Sequence, residues 1–343
     1  MKRIPVGILG ATGAVGQKFV RLLEHHPQFF CAELVASERS SGKRYTDACN
    51  WIEDTDIPEQ VRSMTVKGVD EPLESPLLFS GLDSSVARDF ERTYAEKGHI
   101  VISNASSHRM ESDVPLLIPE VNIDHLRLIE KQTTPGKIIT NSNCVTMFLA
   151  LVCAPIHREL EITSIYVSSM QAVSGAGFPG VASLSILDNV IPYIKNEEEK
   201  LETEPRRILG TLKEDRVVPA SFPISAQCNR IPVINGHVMT LNISVKNSVP
   251  VEDLSTLLSE FSGYPQKQKL FSAPTSPVIV HKDPFSPQIR KCISHSMSAS
   301  VGRIRSCSNV DYKMVVAGHN TVRGAAGAAL LNAEAYLAKG YTL

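Results

Sequence analysis

Residues 4–9 are mostly apolar and run into Gly10-Ala-Thr-Gly13-Ala-Val-Gly16, after which Phe19, Val20, Leu22 and Leu23 recur at helical spacing. A strand, a glycine-rich turn and a helix in that order form the opening unit of a parallel α/β sheet. They are also the context a dinucleotide-binding fingerprint requires. The glycines run G-x-x-G-x-x-G, a variant of G-x-G-x-x-G, and serve the same needs: a tight turn, close approach of backbone N–H groups to a diphosphate, and tight helix packing. On this reading Gly10, Thr12, Gly13, Ala14 and Val15 are candidate cofactor contacts, although a plain structural turn would use the same glycines.

The second strand is expected at Glu33–Ser37. Where an NAD-selective site would carry an acid for the ribose 2′-hydroxyl, the chain reads Ser37-Glu-Arg39-Ser40-Ser41-Gly-Lys43. Ser37, Ser40 and Ser41 supply hydroxyls, and Arg39 and Lys43 supply charge, a set suited to a 2′-phosphate. NADP is favoured over NAD, with Glu38 dissenting and a solvated polar loop as the competing reading.

Strands at 77–80 and 100–103 flank a helix at about 84–97 and continue the βαβ alternation of a doubly wound parallel sheet. Arg109 follows the carboxyl end of one such strand, where ligands sit in these sheets, and is a candidate anion clamp or an ordinary surface arginine. A helix near 123–132 and a strand at 137–140 then deliver Asn143-Cys144, followed by helical spacing to about Leu160. A thiol at a strand-to-helix junction meets free N–H groups and the positive end of the helix dipole, which favour a thiolate. A free cysteine is otherwise a small buried hydrophobe.

The texture changes after this helix. Residues 162–172, 238–245, 297–305 and 310–317 read as strands of a largely antiparallel sheet with one packed face. At 343 residues the chain is long enough for two cores, with a boundary expected near Cys144. The N-terminal unit is expected over 1–143, completed by a C-terminal helix in 321–343, and the second unit over 144–320. Lys and Arg (35) nearly balance Asp and Glu (36), so no global field draws the protein to nucleic acid or to an anionic membrane. The seven cysteines, 31, 49, 144, 153, 228, 292 and 307, show neither disulfide nor metal-ligand spacing. Reduced thiols and a cytoplasmic location are expected, and no metal. The basic start before an apolar run superficially resembles a secretory signal, but the glycines at 7, 10, 13 and 16 make a poor apolar core for one.

Four later segments carry chemistry-like residues. Ser174-Gly-Ala-Gly-Phe-Pro-Gly180 can bring backbone close to a ligand or be a plain turn. The acidic run 196–204 reads as a solvated helix face, though Glu197 and Lys200 share one side. Arg230 and His237 stand either side of a turn. Finally, 319–336 is an Ala- and Gly-rich helix expected to be capped by Asn320 or Thr321.

Taken jointly, Gly10 to Gly16, Ser142-Asn-Cys144, Ser174-Gly-Ala-Gly177, Glu197-x-x-Lys200, Arg230 with His237, and Asn320-Thr-Val-Arg-Gly-Ala-Ala-Gly327 resemble aspartate-semialdehyde dehydrogenases of the archaeal and fungal-like branch. The likeness spans nearly the whole chain in the family's motif order. It implies a Rossmann-type domain with an α+β catalytic and dimerisation domain, glyceraldehyde-3-phosphate-dehydrogenase-like overall. It also implies NADPH-dependent reductive dephosphorylation of L-aspartyl 4-phosphate, an acyl phosphate, to L-aspartate 4-semialdehyde and inorganic phosphate, by a homodimer or homotetramer.

By the same resemblance Cys144 is the nucleophile that forms a thioester and His237 the acid/base. Arg230 would hold the substrate α-carboxylate, Arg109 and Lys200 the phosphate, and Gln171 and Glu197 further parts of the substrate, Glu197 being one of three adjacent glutamates. Asn143, with the Cys144 N–H, would face the oxyanion; Asn320 would lie against the nicotinamide, with Ser174 and Gly175 near the cofactor. Two alternatives remain at this level: an acyl-CoA reductase of the malonyl-CoA type on the same scaffold, and a catalytically silent NADP-binding protein. The co-occurrence of Cys144 and His237 argues against the silent form, which has no physical need for that pair.

Overall fold

The computed structural model describes residues 3–343. Five parallel strands, β1 (Ile4–Leu9), β2 (Phe29–Val35), β3 (Leu77–Ser80), β4 (Ile100–Ser103) and β5 (Lys137–Thr140), form one sheet in the order β2-β1-β3-β4-β5. Every residue of β3 and β4 is buried, as strands covered on both faces must be. The helices Ala14–Leu23 and Ser84–Glu96 provide crossovers. Strand order reverses between β1 and β3, and ligand crevices in such sheets open at the carboxyl ends beside that point. Strand β2 stops at Val35, so Ser37 lies beyond it in a turn where the N–H groups of Ser40 and Ser41 donate to its carbonyl. The helix expected near 123–132 is present over Ile123–Lys131 as tight 3₁₀ turns.

The second sheet has six strands: β6 (Ile162–Gln171), β9 (Ile224–Arg230), β10 (His237–Val245), β11 (Val278–His281), β12 (Ala299–Ser306) and β13 (Tyr312–Gly318). A separate hairpin, β7 (Thr211–Lys213) with β8 (Arg216–Val218), lies outside it. The order is β11-β12-β13-β10-β6-β9. Its three inner pairings are antiparallel and its two outer ones parallel, so the largely antiparallel sheet that was expected is mixed, with a parallel pairing at each edge. The reason is connectivity: the chain between β6 and β9 carries the helix Glu197–Ile208, a crossover long enough to return it to the same end of the sheet.

The helix Cys144–Leu160 is buried almost all round and packs its apolar side chains, from Val145 to Ile156, into the core of the second sheet with Val167, Leu241 and Val316. The C-terminal helix Gly327–Ala338 does the reverse. Ala326, Ala329, Leu330, Ala333 and Tyr336 join the core around β1 and β3 of the first sheet. Before it, Val322–Ala326 form a π turn, and no side-chain cap from Asn320 or Thr321 is present. Asn320 is committed elsewhere: its Oδ1 accepts from the Gly236 N–H and its Nδ2 donates to Ser174 Oγ, both at 2.8 Å.

The π turn is anchored by Arg323, whose Nη2 donates to Glu120 Oε2 at 2.7 Å with both side chains fully buried. Removing one partner of such a pair leaves an uncompensated charge in low dielectric. Glu120→Ala is therefore expected to lose about 3–5 kcal/mol of stability in urea unfolding. Unchanged stability would show that Arg323 is satisfied by other means.

Candidate active site

The site is assembled where the carboxyl edge of the first sheet meets the second. After β5, Asn141 Nδ2 donates to Asn104 Oδ1 (2.8 Å) and to the Ala325 carbonyl (2.9 Å), joining the ends of β4 and β5 to the π turn. Asn143 then caps the long helix, its Oδ1 accepting from the N–H groups of Val145 (2.9 Å) and Thr146 (3.1 Å). Cys144 is the first helical residue and is half-buried; its N–H has no intrahelical partner. Gly324 of the π turn lies directly behind it. A Cβ at that position would stand 2.7 Å from Cβ of Cys144, so only glycine admits this approach.

The Cys144 Sγ is 3.2 Å from Nε2 of His237, the first residue of β10, which is fully buried. The other ring nitrogen, Nδ1, accepts from the Ala172 N–H at 3.0 Å. An accepting Nδ1 puts the ring proton of a neutral imidazole on Nε2, aimed at the sulfur. Burial first, then the nearby Arg230 guanidinium, push the His237 pKa down to about 3, so the ring rests neutral. Arg230 ends β9 and donates from Nη1 to the Ala172 carbonyl at 2.7 Å. A Cβ on Gly175 would come within 2.9 Å of that nitrogen and 3.2 Å of the His237 ring. Gly175, expected beside the cofactor, packs against Arg230 and His237.

The helix Glu197–Ile208 settles which acid faces the cysteine. Glu197 Oε1 accepts from Asn143 Nδ2 at 2.7 Å and Oε2 lies 3.4 Å from Lys200 Nζ. Glu198 and Glu202 accept from the N–H groups of Cys228 and Ala226, each at 3.0 Å, and so cover the edge strand β9; Glu199 is exposed. The acidic run is therefore largely engaged, where a solvated face was expected. One carboxylate of that run, Glu204, was not singled out by its sequence. Buried Glu204 accepts from Arg109 Nη1 (2.8 Å) and from the Asn143 N–H (2.7 Å), which takes that N–H away from any oxyanion. Its signal is the seven-residue spacing from Glu197, two turns along the same face. Gln171, paired with Arg230 in the β6–β9 register, turns back along its own strand to Ser169 Oγ at 3.1 Å.

Burial, with Glu197 second, pushes the Cys144 thiol up to about 12, against the opposing pull of Arg109, Arg230 and Lys200. The N-terminal end of the helix acts with those cations. Burial thus dominates the state of the Cys144 thiol, with one carboxylate and three cations acting on it in opposite directions.

A cleft of about 700 Å³ runs beside this centre, lined at one end by Ala14 and Lys18 and at the other by Ser174, His319 and Thr321. Gly10, Thr12, Gly13, Ala14 and Val15 make the turn and first helical residues at its edge. Gly13 is the N-cap and provides no side-chain bond, so the first-turn N–H groups are open to a diphosphate. Arg39 and Lys43 are exposed near the turn at Ser37, Ser40 and Ser41. Ser41 Oγ contacts Glu71 Oε1 at 3.2 Å, a carboxylate that nothing in the local sequence announced. Ser174 lines the cleft and is bonded to Asn320, which is buried beside the lining residues His319 and Thr321. Among the described residues, no helix is long and apolar enough to cross a membrane.

Comparison with known proteins gives a consistent result. Residues 5–129 match the family described as semialdehyde dehydrogenase, NAD binding domain, and residues 153–323 match semialdehyde dehydrogenase, dimerisation domain. An aspartate-semialdehyde dehydrogenase of Methanothermobacter thermautotrophicus is 47% identical over 341 residues, covering 96% of this chain and 98% of its own length. One from Archaeoglobus fulgidus is 44% identical, covering 97% of each. The crystal structure of aspartate semialdehyde dehydrogenase with NADP from Candida albicans superposes with a TM-score of 0.91 at 40% identity, over 98% of this chain and 99% of that one.

The charge balance at the thiol can be tested directly. Because Glu197 opposes thiolate formation, Glu197→Gln is expected to move the pH midpoint of Cys144 alkylation by iodoacetamide downward by roughly 0.5–1 unit. The alkylated peptide is identified by mass spectrometry. An upward shift, or none, would contradict the assigned placement of Glu197.

Proposed function

The chain belongs to the aspartate-semialdehyde dehydrogenase family, and from that premise we propose how its residues carry the reaction. The reaction is the NADPH-dependent conversion of L-aspartyl 4-phosphate to L-aspartate 4-semialdehyde and inorganic phosphate, in amino-acid biosynthesis toward lysine, threonine and methionine. The Cys144 thiol gives its proton to the phosphate oxygen that leaves; as the thiolate, Sγ attacks the acyl carbon, the bond from that carbon to the phosphate oxygen breaks, and Arg109 and Lys200 receive the departing hydrogen phosphate. Arg230 pairs with the α-carboxylate and Glu197 with the α-ammonium group, with Gln171 as a further contact. Asn320 and Ser174 would hold the nicotinamide of NADPH, which when bound would supply the hydride for reduction of the thioester carbon.

His237 serves these steps through Nε2. Its proton faces the sulfur while the thiolate attacks, and then the alkoxide formed on reduction. Collapse of that alkoxide expels the Cys144 thiolate, which takes up a proton from solvent, and gives the aldehyde without a net proton from the imidazole. A ring held neutral, with a pKa of about 3, suits this donor half of the acid/base role. The observation that carries the reading is the 3.2 Å approach of Sγ to a nitrogen whose proton is fixed there by the Ala172 amide.

The cofactor unit is residues 1–143 completed by 321–343, and the catalytic and dimerisation unit is 144–320. The open helix N-terminus after Gly13 fits the diphosphate, and Ser37, Arg39, Ser40, Ser41 and Lys43 fit the 2′-phosphate of NADP, the cofactor in the Candida albicans structure. The dimerisation-domain match supports a homo-oligomer, a dimer or a tetramer. Leu184, Leu187, Val190 and Tyr193, all exposed, supply apolar surface for that contact. The location assigned is the cytoplasm.

The test follows NADP⁺ reduction with aspartate semialdehyde and inorganic phosphate. Wild type is expected to be active and phosphate-dependent. Cys144→Ser is expected to keep cofactor binding and to lose turnover by at least ~10³-fold. Activity on a CoA thioester with none in this assay, or a serine variant at wild-type rate, would overturn the assignment.

A further inference from the structure

Glu204 is a buried carboxylate whose two oxygens serve different parts of the site. Oε1 accepts from Arg109 Nη1 at 2.8 Å, and Oε2 accepts from the Asn143 N–H at 2.7 Å. Arg109 is gripped a second time, its Nη2 donating to the Asn104 carbonyl at 2.7 Å. Its Nε is buried and has no hydrogen-bond partner among the described residues. Asn143 is the residue that caps the Cys144 helix, and its side chain is bonded at the same time to Glu197, seven residues before Glu204 on the same helix. One helix thus holds Asn143 by its side-chain amide and by its backbone N–H. The second of these grips is shared with the arginine.

A carboxylate kept only to neutralise a buried arginine would need no bond to the peptide that leads into the nucleophile. The shared grip fixes the guanidinium relative to the Asn143–Cys144 peptide, and so fixes the anion site relative to the sulfur. We propose that Glu204 is a positioning residue that sets the phosphate-binding arginine and the cysteine nucleophile in register. The proposal rests on the reading of Arg109 as a phosphate ligand given above. Removing Glu204 would free Arg109 to turn its donors away from the phosphate and would let the peptide before Cys144 shift, two effects that separate kinetically.

Glu204→Gln keeps the volume but presents one acceptor and one amide N–H₂ to two donors. In the phosphate-dependent assay it is expected to raise the KM for phosphate about tenfold and to lower kcat about tenfold, with NADPH affinity within about twofold of wild type. Arg109→Leu is expected to raise the KM for phosphate at least as much. In the Arg109→Leu background, Glu204→Gln should no longer raise that KM, yet should still lower kcat. Loss of kcat alone with an unchanged KM, or equal KM effects in both backgrounds, would overturn the proposal and leave Glu204 a structural residue. A wild-type phosphate KM in Arg109→Leu would instead overturn the underlying role of Arg109. A raised KM there with none in Glu204→Gln would overturn the proposal alone. If Glu204→Gln folds poorly, Glu204→Asp keeps the charge one methylene short and is expected to show the same split at about threefold. An unsplit loss in that variant would count against the proposal equally.

Discussion

The 3.2 Å approach between Cys144 Sγ and His237 Nε2 is the contact on which the rest of the arrangement depends. One atom follows the last strand of the first sheet, and the other opens a central strand of the second. Neither sheet can build the pair alone. The cores serve this meeting: the helix that starts at Cys144 is buried in the second sheet's core, and the C-terminal helix returns to the first. Each sheet is thereby pinned by an element that also borders the site. The close approach of Gly324 behind Cys144 and of Gly175 beside His237 shows how little space separates these elements.

Electrostatics within that seam are balanced rather than one-sided. Three cations, Arg109, Lys200 and Arg230, would stabilise a thiolate and hold a substrate with phosphate and carboxylate groups. Two carboxylates from one helix, Glu197 and Glu204, restrain two of those cations and the cap residue Asn143. The thiol is kept from ionising by burial and by Glu197. An incoming dianionic phosphoryl group would be met by cations already oriented, at no cost of reorganisation during the chemical step. A neutral His237 fits the same logic, because a second buried cation beside Arg230 would be expensive.

The first sheet was readable because parallel strands covered on both faces must be continuous apolar runs, which Leu77–Ser80 and Ile100–Ser103 display. The edge strands β9 and β11 were not among the strands expected, and their parallel direction was not readable either, since a period of two residues is the same whichever way a strand points. Cys144 stood out by its junction and His237 and Arg230 by their family pattern. Glu204 did not, because an acidic helix looks alike whether its carboxylates meet water or buried donors; only the tertiary partners Arg109 and Asn143 distinguish it. Asn320 was misread as a cap for a similar reason. Its amide satisfies two loops that are remote in sequence, and the helix begins with a π turn instead. At Gly175 the space that demands glycine belongs to Arg230 and His237, neighbours that only the tertiary fold reveals.

The central claim is that the acyl group passes through Sγ of Cys144, and trapping it there tests this most directly. The protein would be mixed with aspartate semialdehyde and NADP⁺ without phosphate, quenched in acid and mapped by peptide mass spectrometry. An aspartyl group is predicted on the Cys144 peptide alone, discharged when phosphate is added before the quench. NADPH formation with no adduct, or an adduct on any of the other six cysteines, would contradict it.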